Sequence, residues 1–359
     1  MSSAEAIIDL AALSHNFSLI RQMIHPSTAI MPMIKANAYG HGIVEVARRL
    51  TEAHAFGVAT LSEALFLREQ GIFQPLYVMR GFQGAEEAEL CAAHGLIAVI
   101  HHPTQVACLE KITLTTALKL WLKVDTGMHR LGFGPDIFLE YYNRLLKSDN
   151  VVKPLGVMSH FADSNENETF TREQFTLFTA MTQHHVGPRS LANSAALMRY
   201  PEMQFDLVRP GIMLYGVSPF VDQTAEELGL KPVMTLKSHL IAYKTVRAGE
   251  RVGYGLTWRA ERDTEMGIVG IGYGDGYPRH LPSGTPVLIN TQECPLIGRV
   301  SMDMIAIDIS SLKNAKIGDE VVLWGTGLPI ERISNLAKTI GYELLCQVTG
   351  RVQRCILNA

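Results

Sequence analysis

Ile30-Met31-Pro32-Met33-Ile34-Lys35-Ala36-Asn37-Ala38-Tyr39-Gly40-His41-Gly42 sets the pattern for the N-terminal part of the chain. An apolar run ends on a lysine, and glycines then let the backbone turn sharply. Outward from this stretch the texture repeats: short runs rich in branched residues alternate with helical patterns, the mark of βα units around a parallel sheet. The spacing predicts strands at Ile30–Ile34, Ala55–Val58, Pro75–Val78, Ile97–Ile100, Leu118–Val124, Leu155–Met158, Ser190–Ala192 and Leu207–Leu214. Eight such runs, with no Gly-x-Gly-x-x-Gly turn at the first, fit a closed (β/α)8 barrel better than a doubly wound sheet. Helices are expected at Leu61–Glu69, with Ser62 as cap and Leu65 and Phe66 turned inward, and at Thr171–His184.

After Gly229-Leu230-Lys231-Pro232 the pattern shifts to alternating short strands and close turns: Leu236–Tyr243, Gly267–Ile271, Pro286–Asn290, Met304–Ile309 and Glu320–Trp324, with one helix at Glu331–Ile340. The fold class is therefore α/β. An N-terminal (β/α)8 TIM-type barrel over residues 1–230 is followed by a C-terminal, mostly β domain over residues 231–359.

The 359 residues are 47% apolar and 19% charged, the balance of an ordinary globular enzyme. A net charge of -3, with no basic stripe, argues against nucleic acid and membrane surfaces as partners. No stretch approaches the roughly 18 apolar residues of a membrane span, and the N-terminus has no positive leader, so a cytoplasmic location is expected. Cys91, Cys108, Cys294, Cys346 and Cys355 are scattered and form no Cys-x-x-Cys pair. Free buried thiols in a reducing compartment fit better than a disulfide framework or a zinc knuckle.

Barrel chemistry sits at the C-terminal ends of strands, and Lys35, Lys123, His160, Ser194 and Arg209 all fall near that rim. A desolvated lysine loses its proton more readily and becomes an amine able to form a Schiff base with an aldehyde. In Lys123–Gly132, Arg130 is suited to fork a substrate carboxylate. His160 is placed either to hold a ring or to sit as an ordinary core histidine. Small residues in Asn193–Ala196 and Arg209–Gly216 leave amides free where barrels commonly bind phosphate. Phosphate beside an amine-bearing lysine points to pyridoxal phosphate. In the second domain, Tyr254 stands between Gly253 and Gly255, and Gly272–Tyr277 and Gly298–Met304 read as site-lining loops or as glycine-rich hairpins.

Taken together, Lys35–Gly42, Lys123–Gly132, Arg209–Gly216, Gly253–Trp258 and Ser301–Met304 make the chain resemble bacterial alanine racemases, fold-type III pyridoxal-phosphate enzymes, over almost its whole length. The resemblance implies that Lys35 carries the cofactor and exchanges the α-proton on one face, with Tyr254 as the base on the other. It assigns Tyr39, Ser194, Gly211, Ile212 and Tyr342 to the phosphate, His160 to the ring, and Arg130 and Met302 to the substrate carboxylate. It sets Arg209 against the pyridine nitrogen, where a permanent cation weakens the electron sink and favours reprotonation over transamination. It implies a homodimer in which Tyr254 and Met302 reach the partner's site, and a lysine at 123 that some members carbamylate. One departure is Gly350-Arg351-Val352-Gln353-Arg354, where the family often has Arg-Val-Pro-Arg. Competing readings are a broad-specificity amino-acid racemase, a decarboxylase of basic amino acids, and a non-catalytic protein of pyridoxal-phosphate homeostasis. Arg209 argues against the decarboxylase, and Tyr254 against it and the homeostasis protein.

Overall fold

Strands that read as unbroken apolar runs need cover on both faces, and a closed barrel supplies it. The chain, seen here as a computed structural model, is described from residue 4 to residue 358. Counting from an N-terminal strand β1 (Ala4–Asp9), the barrel strands are β2 (Ala29–Ile30), β3 (Phe56–Val58), β4 (Leu76–Val78), β5 (Ile97–Ile100), β6 (Leu120–Lys123), β7 (Gly156–Met158), β8 (Arg189–Ser190) and β9 (Leu207–Val208). Strands β3 to β8 pair in sequence as one parallel sheet, and β2 pairs with β9. Gly57 N–H donates to Pro32 O at 3.0 Å on one side, and Arg209 N–H to Ala192 O at 3.0 Å on the other, which closes the ring.

Each expected run meets a barrel strand, most of which are shorter than the run, while β2 and β8 begin one residue before theirs and share only Ile30 and Ser190 with them. The last one stops at Val208, because Pro210 lacks an N–H for the ladder and Ile212–Tyr215 coils into a 3-10 turn. The helix Leu61–Glu69 forms as expected, but two details differ. Its cap is Thr60 rather than Ser62: the Thr60 hydroxyl accepts from Glu63 N–H at 3.3 Å, and the Glu63 carboxylate accepts from Thr60 N–H at 3.1 Å. Ala64 and Leu67 face the core, while Phe66 is exposed. The next expected helix runs over Glu168–Met181, starting early because Asn167 caps it by accepting from Phe170 N–H at 3.0 Å.

The second domain is built around β10 (Met234–Val246), which pairs antiparallel with β13 (Thr264–Val269), β17 (Glu320–Trp324) and β1. A short hairpin of β11 (Arg251–Val252) and β12 (Trp258–Arg259) lies apart from this sheet. Strands β14 (Pro286–Ile289), β15 (Gln292–Pro295), β16 (Ile305–Asp308) and β18 (Gln353–Leu357) complete the sheet, and the helical stretch near its end divides into Ile330–Leu336 and Gly341–Gln347. The N-terminal strand β1 lies between β10 and β18, with Ala6 opposite Leu236 and Glu5 beside Gln353. Two strands far apart in sequence, β1 and β18, are therefore neighbours in one sheet. Of the described residues, no helix is long and apolar enough to cross a membrane.

Candidate active site

Lys35 lies in the connection that follows β2, and the backbone beyond it is unusual. Ala36, Asn37, Ala38 and Tyr39 have φ of +52°, +53°, +52° and +53°, a left-handed turn made without glycine. Each such residue costs roughly 1–2 kcal/mol. Hydrogen bonds hold it from several sides: Glu63 accepts from Ala36 N–H at 2.7 Å, Asn37 Oδ1 accepts from Ile43 N–H at 2.9 Å, and Arg354 Nε donates to Gly40 O at 2.7 Å. Gly40, at φ +86°, cannot take a side chain, since a Cβ would lie 2.3 Å from Leu345 O.

The turn borders a cavity of about 560 Å³ at the barrel rim. Lys35, Tyr39, Arg130, His160, Ser194, Arg209, Gly211 and Tyr342 all line it, as does Lys123. Ile212 is buried next to Gly211. Tyr254 and Met302 are not on its wall: they stand 66% and 51% exposed on the second domain. There the three glycine-rich strings do converge, for Tyr273 N–H donates to Ser301 O at 3.0 Å, and a Cβ on Gly255 would lie 2.9 Å from Arg299.

Arg209 is buried to 3% exposure and gives its Nη atoms to the Ser190 hydroxyl, the Ser159 and Leu191 carbonyls and His160 Nδ1. Its Nε–H has no hydrogen-bond partner among the described residues. An arginine has only donors, so His160 Nδ1 accepts and the imidazole proton sits on Nε2. Burial first, then the charges of Arg209, Lys123, Arg130 and Lys35, push the His160 pKa well below the usual range and keep the ring neutral. Lys123 is lowered to about 8 by burial and by the same cations. Burial, with Arg130 nearby, also lowers Lys35, which favours the neutral amine that attacks carbonyls.

At the far end, the Ser194 hydroxyl accepts from Gly211 N–H at 2.9 Å and so ties the last two rim loops together. A Cβ on Gly211 would come within 2.7 Å of the Tyr39 hydroxyl, so glycine here lets that phenol approach. The Tyr39 hydroxyl and the amides of Ser194 and Ile212 have no hydrogen-bond partner among the described residues. Tyr39 stacks on Tyr215 at 4.8 Å and leans on Tyr342 at 5.9 Å, and burial pushes the Tyr342 phenol up to about 12.

The donor set is one-sided: Lys35, Arg80, Lys123, Arg130, His160 and Arg209 line the cavity, and among the described residues no carboxylate does. Such a wall calls for a ligand of several negative charges, and its unpartnered donors fit a phosphate at one end and a ring acceptor near Arg209. Pyridoxal phosphate with an amino-acid carboxylate meets that demand. Family models described as "Alanine racemase, N-terminal domain" and "Alanine racemase, C-terminal domain" match residues 8–219 and 233–356. The chain belongs to the alanine racemase family. The alanine racemase of Coxiella burnetii is 52% identical over 98% of both chains, and that of Vibrio cholerae 47% identical over 100% of this chain and 99% of its own. The crystal structure of the biosynthetic alanine racemase from Pseudomonas aeruginosa matches with TM-score 0.96 at 42% identity, covering all of both chains, and that from Acinetobacter baumannii with 0.94 at 39%. Alanine racemases as a family depend on pyridoxal phosphate.

Arg80, Met79 and Cys346 also line the cavity and were missed from sequence. Met79 and Arg80 directly follow β4, so the rim rule that found Lys123 applies to them as well. Cys346 is exposed, unlike the buried Cys91 and Cys294, which corrects the expectation of uniformly buried thiols.

Proposed function

We propose that this chain interconverts L- and D-alanine with pyridoxal phosphate, by exchange of the α-proton between two bases on opposite faces. The observation that carries the reading is the cation-lined, carboxylate-free cavity around a desolvated lysine. When bound, pyridoxal phosphate supplies an aldehyde for an amine to condense with and a conjugated ring that draws electron density from Cα. Lys35 holds the cofactor and, once released, moves the proton at Nζ. Arg130 takes the substrate carboxylate and fixes which way the Cα–H bond points. Arg209 keeps its proton and directs Nε–H to the ring nitrogen, while neutral His160 supports the ring. Tyr39, Ser194, Gly211, Ile212 and Tyr342 hold the phosphate.

Tyr254 acts as the second base, because a single base tends to return the proton to the face it left. Its exposure, with that of Met302, fits delivery into the cavity of a second copy, so the working unit is a homodimer with shared sites. In this reading residues 1–230 form the cofactor-binding barrel, and 231–359 contribute the opposing base and lend Tyr342 to the phosphate. The enzyme works in the cytoplasm, where its D-alanine feeds cell-wall peptidoglycan or its activity serves alanine catabolism. Circular dichroism of L-alanine incubated with protein and pyridoxal phosphate tests the assignment. The signal decays to zero if it holds, Lys35→Ala abolishes the decay, and a constant signal with wild type sinks it.

A further inference from the structure

The left-handed turn after Lys35 must be held against its own strain, and one buried group is aimed at it that the reaction does not use. His41 is fully buried, and its Nδ1 lies 2.9 Å from Ala38 O and 3.0 Å from Tyr39 O. Carbonyls only accept, so Nδ1 carries the ring proton and donates to both. The other nitrogen, Nε2, is buried without a partner. Burial lowers the His41 pKa to about 4, which leaves the ring neutral with that single N–H.

The opposite face of the arrangement is aromatic. The His41 ring stacks on Tyr215 at 4.5 Å, Tyr215 stacks on Tyr39 at 4.8 Å, and the Tyr215 hydroxyl donates to Met33 O at 2.9 Å. Met33 lies just before Lys35, while Ala38 and Tyr39 lie just after. One column of rings thus grips the chain on both sides of the lysine.

We propose that His41 is a positioning residue, whose Nδ1–H locks the left-handed turn and thereby aims Lys35 and the Tyr39 hydroxyl into the cavity. The inference rests on reading Lys35 as the cofactor lysine and Tyr39 as a phosphate contact. His41 itself touches no reacting atom. Nε2 has no partner in reach in either tautomer, so the two carbonyls facing Nδ1 decide where the ring proton sits.

Two substitutions separate the donor from the ring. His41→Phe keeps a ring against Tyr215 and removes the donor; His41→Asn keeps an N–H at the same reach and removes the ring. With cofactor-free protein, titration by absorbance gives the affinity for pyridoxal phosphate and for pyridoxal, which lacks the phosphate. His41→Phe is expected to lose about tenfold or more for pyridoxal phosphate, the size of one to two hydrogen bonds, and to lose its preference over pyridoxal. His41→Asn is expected to stay within about threefold of wild type, a loss below one hydrogen bond. Wild-type affinity in a folded His41→Phe protein, or equal losses in both variants, overturns the proposal. Should His41→Phe fail to fold, 15N spectra of histidine-labelled wild-type protein decide: an Nδ1–H tautomer at His41 supports it, and an Nε2–H tautomer overturns it. If wild type binds no pyridoxal phosphate at all, the functional reading fails instead, while the tautomer still reports whether His41 grips the turn.

Discussion

At the residue scale, the site stores its chemistry as charges the fold would rather not hold. Lys123 is 7% exposed and its pKa falls from 10.5 to about 8, first by burial and then by Arg209, Arg130 and Lys35. The folded state binds this proton less tightly than the unfolded chain does. The protonated lysine therefore carries its full penalty below pH 8, and stability rises with pH between 8 and 10.5. Replacing Lys123 with methionine in cofactor-free protein should stabilise it at pH 7 by up to about 3 kcal/mol, with the gain fading by pH 10.5. Urea unfolding at the two pH values checks this, and no gain at neutral pH would refute the electrostatic account. A second prediction concerns Gly211. Gly211→Ala drives a methyl to within 2.7 Å of the Tyr39 hydroxyl, so cofactor affinity should fall at least about tenfold, one hydrogen bond or more, with little change in secondary structure. Titration of the cofactor-free variant with pyridoxal phosphate measures it.

At the element scale, the helix Leu61–Glu69 and the lysine turn share one carboxylate. Glu63 accepts from Thr60 N–H and Ala59 N–H at the helix cap and from Ala36 N–H at 2.7 Å in the turn. Glu63→Ala should cost about 2 kcal/mol and weaken cofactor binding, whereas Thr60→Ala should cost about 1 kcal/mol and leave binding unchanged. Thermal melts with parallel cofactor titrations distinguish the two, and equal effects on binding would break the link. The barrel strands were legible because runs such as Ile97–Ile100 are buried on both faces and carry no polar alternation. The rim residues were legible for the same reason, since a barrel puts chemistry after its strands. The left-handed turn was not legible. Of Ala-Asn-Ala-Tyr only Asn37 tolerates positive φ readily, and hydrogen bonds from His41 beside the turn and from the distant Glu63 and Arg354 surround the conformation. Thr60 displaced Ser62 as cap because its hydroxyl and Glu63 complete a reciprocal pair that Ser62, already inside the helix, cannot form.

At the scale of the whole molecule, the two bases proposed for the reaction lie on surfaces that do not meet within the described chain. Lys35 lines the cavity, whereas Tyr254, like Leu256 and Met302, is exposed on the second domain. Mixing Lys35→Ala protein with Tyr254→Phe protein under conditions of subunit exchange should restore about a quarter of wild-type racemisation. Half of the random dimers are then mixed, and each mixed dimer holds one intact site. If both bases belonged to one chain, no activity would return. The resemblance of separate sequence strings made this division readable, whereas the partners of β1 were not, because its alanines and glutamate carry little strand preference and its neighbours lie at residues 234–238 and 353–357.

The position of β1 bears on how the protein is made. Strand β1 gains its second neighbour only once β18, far later in the chain, has been made, Glu5 against Gln353. At about 5–20 residues per second, roughly 20 to 70 s separate the two, and for that interval the N-terminal segment can at best pair with β10 alone. The barrel, whose contacts run largely between neighbouring units, is free to form in the meantime. The sheet around β1 waits for β18, so a chain interrupted before residue 353 would keep β1 paired with β10 on one side and leave its other edge open.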